Sequence, residues 1–72
     1  MNIKNKIKIK VNGRKVLFDN KESVGSLIKK LNIPLNKVAI ELNREIVNKK
    51  RISKIILKSE DKIEIVNFIG GG

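Results

Sequence analysis

Residues 7–18, IKIKVNGRKVLF, alternate apolar and polar side chains before and after Asn12-Gly13. Ile7, Ile9 and Val11 share one parity and Lys8 and Lys10 the other, with Ile3 extending the same phase; this is the period of a half-buried strand. Asn-Gly tolerates the positive φ angles of a two-residue type I′ turn, so the spacing predicts an antiparallel hairpin with Val16 and Phe18 resuming the alternation. The first strand is expected from Ile3 or Ile7 to Val11. An isolated hairpin is marginal in water, so its apolar face must be covered by something later in the chain.

The period then changes. Val24, Leu27, Ile28 and Leu31 fall at i, i+3, i+4 and i+7, one face of a helix, with Lys29 and Lys30 pointing away. Ser23 is placed to cap the helix start, with Glu22 near the positive end of its dipole, and Asn32 and Pro34 stop it. Gly25 implies close packing on the sheet. Alternation returns in Val38, Ile40 and Leu42, followed by a turn at Asn43-Arg44 and a short strand from Glu45 to Val47. The stretch NKKRISKIILK is ambiguous between a short helical face of Ile52, Ile55 and Ile56 and irregular chain packing the three isoleucines. A last strand spans Lys62 to Val66 with Ile63 and Ile65 inward. The expected architecture is α+β, a mixed four- to five-stranded sheet with one main helix packed on one face.

Composition narrows what such a domain can do. At 72 residues the chain is one small domain, burying only about 60% of its unfolded surface, which argues against a complete enzyme active site. It has no Cys and no His, which excludes thiol nucleophiles, imidazole bases, ordinary zinc sites and disulfides within it. No apolar run approaches the roughly 20 residues that span a bilayer, and no signal-peptide pattern opens the chain; no membrane association and a cytoplasmic location are expected. The net charge of +10, from 17 basic and 7 acidic residues, invites a nucleic-acid reading. Against it, Phe18 and Phe68 are the only aromatics, too few for a base-stacking platform. The lysines are also scattered along every segment, and heavy use of Lys, Asn and Ile fits AT-rich coding sequence. Nucleic acid is therefore not the expected partner.

Four stretches together carry a family resemblance: IKVNGRKV (9–16), SVGSLIKKLNI (23–33), VAIELNREIV (38–47) and EDKIEIVNFIGGG (60–72). In this order they resemble the hairpin, helix, strand–turn–strand and glycine-ended final strand of the thiamine-biosynthesis sulfur carriers, the ThiS family. The resemblance implies a ubiquitin-like β-grasp domain over residues 1–66 and a flexible tail over 67–72, with the first and last strands adjacent and parallel. Two departures stand out: Asn48-Lys49 replaces a Pro-Arg pair, and Glu60 replaces a glycine of the acidic turn. A left-handed backbone there would cost Glu60 about 1 to 2 kcal/mol relative to glycine.

The function the resemblance implies is that of a carrier, not an enzyme, expected to be a monomer when free. Gly72 would be the modified residue: an E1-like adenylyltransferase (ThiF) would consume ATP to form an acyl-adenylate on its carboxylate. Sulfur, from cysteine through a desulfurase or a sulfurtransferase, would convert that to a thiocarboxylate, and thiazole synthase (ThiG) would accept the sulfur. No cofactor would be bound by the chain itself. Gly70 and Gly71, lacking a β-carbon, would pass through a channel too narrow for side chains. Val66, Phe68 and Ile69 would contact the partner, although Phe68 and Ile69 could instead be the last core-covering residues of the strand. The molybdopterin synthase small subunit, with the same terminal chemistry, and a basic RNA-binding β-grasp module are the alternatives.

Overall fold

The computed structural model describes residues 5–67. Ile3 as a strand start and the tail residues Phe68, Ile69, Gly70, Gly71 and Gly72 lie outside the described residues. The elements are β1 (Lys6–Val11), β2 (Arg14–Asp19), α1 (Val24–Lys30), β3 (Val38–Leu42), β4 (Glu45–Ile46) and β5 (Lys62–Asn67), with 3-10 turns at Leu35–Lys37 and Lys49–Lys54. The sheet order is β2-β1-β5-β3-β4. β5 is central, parallel to β1 and antiparallel to β3.

Local chemistry explains both hairpins. Asn12 and Gly13 have φ of 51° and 83°, and Asn43 and Arg44 have φ of 51° and 73°. Both pairs thus adopt the double positive-φ conformation whose twist matches the flanking strands. The alternation places Ile7, Ile9, Phe18, Val38, Ile40 and Ile63 in the core under α1, and leaves the opposite parity on an open face.

The helix begins and ends as its sequence dictates. Ser23 Oγ accepts from the Ser26 N–H at 3.1 Å. At the other end Asn32, at φ 56°, supports paired bonds from Asn32 N to Lys29 O and Ile33 N to Ile28 O, both 3.1 Å, the closure of a Schellman motif. That closure corrects one expectation. Val24, Leu27 and Ile28 are buried, but Leu31 is 45% exposed, because the helix has already ended at Lys30 and Ile33 packs against the core instead.

Three further details differ from the sequence reading. Gly25 packs not on the sheet but against the 3-10 segment: a β-carbon there would lie 3.3 Å from Ser53 Cα. Within the ambiguous stretch Ile52 is buried and Ile55 half-buried, whereas Ile56 is 47% exposed and Leu57, 1% exposed, fills the core. Backbone bonds from Val24 N to Ile55 O (2.8 Å) and Leu57 N to Glu22 O (2.9 Å) align this segment along the entry to α1 and point Leu57 inward. Finally, Asn67 pairs with Val38, so the strand runs one residue beyond the expected boundary at Val66.

Candidate functional site

The site expected from sequence is the exit of β5. Being central, β5 is held from both sides as it delivers the chain toward the glycines. On one side Ala39 pairs with Val66 and Val38 with Asn67. On the other, β1 ends at Val11, and the Asn12 side chain takes over: its Oδ1 accepts from Ile65 N at 2.7 Å and its Nδ2 donates to Ile65 O at 3.2 Å. Beside this clamp lies a groove lined in part by Arg14, Leu31, Ile33, Pro34, Ile65 and Asn67. Apolar side chains, asparagines and the Arg14 guanidinium thus share the groove that Asn67, the last described residue, also lines.

Of the expected contact residues, the structure places Val66. It is 51% exposed and lies on the open face of the sheet, opposite in parity to the inward Ile63 and Ile65. Its cross-strand neighbour is Ala39, and the next pair back along the same face is Glu41 with Glu64. Ile46, paired with Glu41 and 77% exposed, extends this face to the sheet edge. An exposed apolar side chain on a sheet face is a group that a protein partner can bury.

The sequence reading missed a second feature of the open face. Lys10 pairs with Lys15 across β1–β2 and with Lys62 across β1–β5, so three lysines stand in one row over three strands. Together with Lys8 they line a groove whose only carboxylate is Glu60. The lysines are thus not merely scattered. The available signal was the polar parity of Lys8 and Lys10, but nothing local to Lys62 shows which residue of β1 it will face.

At the edge of the sheet the chain does neutralise its cations. Lys6 forms an ion pair with Asp19, and Lys30 reaches the same carboxylate at 3.0 Å while lying 5.4 Å from the Phe18 ring centroid. The hydrogen bonds from Lys6 and then Lys30 hold the Asp19 carboxyl below its ordinary range. Among the described residues, no group of three or more His, Cys, Asp or Glu is placed to hold a metal ion, and no helix is long and apolar enough to cross a membrane.

Comparison with known proteins places this geometry. The family model described as "ThiS family" matches residues 4–72. The crystal structure of the thiamine biosynthesis protein ThiS from Geobacter metallireducens superposes with a TM-score of 0.80 at 28% identity, covering 92% of this chain and 100% of that one. The sulfur carrier protein ThiS of Bacillus subtilis is 49% identical over 35 residues, 49% of this chain and 53% of that protein. A thiazole synthase of Paramagnetospirillum magneticum is 39% identical over 66 residues, 92% of this chain but 20% of that enzyme; the chain spans about a fifth of the length of the thiazole synthases it matches. With a five-stranded mixed sheet, one main helix and a family match extending through the final glycine, the domain is a β-grasp fold and the chain belongs to the ThiS family.

Proposed function

We propose that this chain is a sulfur carrier of thiamine biosynthesis, a protein cosubstrate that acts through the carboxylate of Gly72. The observation that carries the reading is that the family match runs to residue 72. The central position of β5, which directs the chain toward that terminus, fits it. A carboxylate is a poor electrophile, since expelling oxide from it is prohibitive. An adenylyltransferase overcomes this by joining the Gly72 carboxylate to the AMP portion of ATP, with pyrophosphate leaving. The terminal sulfur of a donor persulfide then attacks the acyl carbon and AMP leaves with the electrons of the C–O bond. A thiol attacks the donor-side sulfur of the resulting acyl disulfide, forming a disulfide with the donor and releasing the terminus as a thiocarboxylate.

Each part of the chain has a separate task. The β-grasp domain supplies a rigid body to grip, with Val66, Phe68 and Ile69 as partner contacts. Gly70 and Gly71 let the backbone approach the adenylating centre without side-chain obstruction. ATP is consumed by the partner and no cofactor is bound here. Thiazole synthase is the proposed acceptor, supported by relatives of that name that contain a stretch similar to this chain. A desulfurase or sulfurtransferase supplies the sulfur, and the absence of Cys from the chain leaves no internal thiol to compete.

The test is intact-mass spectrometry after incubation with the adenylyltransferase, ATP and a sulfur donor. The wild-type chain should gain AMP and then exchange one oxygen for sulfur at its terminus. Deleting Gly72, or adding one residue after it, should abolish both changes with the melting temperature nearly unchanged, because misplacement by about 1 Å can cost on the order of a hundredfold in rate. Sulfur gain at the normal rate by either variant would remove Gly72 as the carrier site.

A further inference from the structure

The row Lys15–Lys10–Lys62 is an arrangement the fold does not need. Like charges directly opposite each other across strands are destabilising, yet Lys10 has one on either side. Among the described residues none of these three, nor Lys8, is in a salt bridge, whereas Lys6 and Lys30 share Asp19. From the register and the usual strand spacing the row is about 10 Å long, and Lys62 lies roughly 13 Å along β5 from Val66. The row and Val66 share the open face, so a body resting against Val66 near the chain exit would extend over the lysines.

Resting on the carrier reading above, we infer that the lysine row is the electrostatic half of the partner-docking face and receives a compact cluster of carboxylates on the adenylyltransferase. Charge complementarity argues for that occupant. The row is short, and the Glu41–Glu64 pair stands on the same face immediately beyond Lys62. A phosphate backbone continuing across the face toward the chain exit would meet those two carboxylates, whereas a local acidic cluster on a protein can stop short of them. Phe18 is buried in the core, which leaves no described aromatic on this face to stack a base. The row steers encounter, and the apolar contact at Val66 follows; charges so placed act mainly on the association rate and on its salt dependence.

The experiment measures association of the full chain with its cognate adenylyltransferase by stopped flow from low to physiological salt. Lys10→Glu places an acid between two lysines, so it should raise the melting temperature by roughly 2 to 8 °C while lowering the low-salt association rate about tenfold or more. Lys29→Glu, with the same charge change on the exposed helix surface, should leave that rate within about twofold of wild type. Equal slowing by the two variants would mean that net charge alone is responsible and would overturn the inference. So would an unchanged rate in Lys10→Glu. An RNA 20-mer that binds the wild-type chain at physiological salt and loses that binding in Lys10→Glu would assign the row to nucleic acid instead. Intact mass in the same samples separates the two readings: AMP on wild-type Gly72 with no effect of Lys10→Glu on rate removes only the lysine-row inference, whereas no AMP on wild type removes the carrier reading and this inference with it.

Discussion

Asn12 and Ile65 meet as if their side chain and backbone were neighbouring peptide units: one carboxamide both accepts from the Ile65 N–H and donates to the Ile65 carbonyl. A carboxamide presents one acceptor and a paired donor, so Asn12 continues the β1–β5 pairing one step past the point where β1 turns away. The same residue occupies the first positive-φ position of the hairpin turn. One side chain therefore closes the first hairpin and anchors the strand that leads to the glycines.

Asn12→Ala should remove both bonds and place a residue with a less tolerant β-carbon at positive φ. A loss of about 1 to 3 kcal/mol is expected from the two contributions. Denaturant unfolding measures the total, and amide hydrogen exchange at Ile65 isolates the clamp. Unchanged Ile65 protection would show that the clamp does not hold β5.

Glu60 has φ of 74° in the turn before β5, where its N–H donates to Lys8 O at 2.7 Å. Glycine reaches this conformation without β-carbon strain but loses more backbone entropy on folding. Glu60→Gly should stabilise the domain by about 0.5 to 1 kcal/mol net. A β-branched residue is worse suited to positive φ, so Glu60→Val should destabilise. The pair of melting temperatures checks the sign, and a Glu60→Val melt equal to that of Glu60→Gly would refute the strain.

Leu27 and Leu31 are both leucines on the helical repeat but have different surroundings, 1% and 45% exposed. Leu27→Ala should cost about 2 to 5 kcal/mol through lost burial and a residual cavity. Leu31→Ala, at the helix end and half in solvent, should cost less than about 1 kcal/mol. Equal losses in urea unfolding would contradict the helix ending at Lys30.

What the sequence determined by itself is what neighbours in the chain decide. Alternation in Ile7-Lys8-Ile9-Lys10-Val11 assigns each side chain a face before any partner strand exists, and Asn12-Gly13 has few conformations so compatible with a tight turn. Ser23 caps because its hydroxyl is three residues from the N–H it accepts. Asn32 ends the helix because it tolerates a left-handed backbone. The proposed carrier terminus rests on the same kind of local signal, a glycine run behind an apolar strand, and residues 68–72 lie outside the described residues.

Tertiary structure decided whatever depended on which distant segments meet. The stretch from Asn48 to Lys58 has no sustained period, so the backbone bonds of Ile55 to Val24 and of Leu57 to Glu22, not the local pattern, send Leu57 inward and leave Ile56 out. Gly25 is tight because Ser53 approaches it, 28 positions away in the chain by numbering. Lys10 and Lys62 are ordinary solvated residues in sequence and become adjacent only through the parallel register of β1 and β5. That register is set by burying Val11, Ile63 and their core neighbours together, a global packing solution that alternation within either strand does not specify.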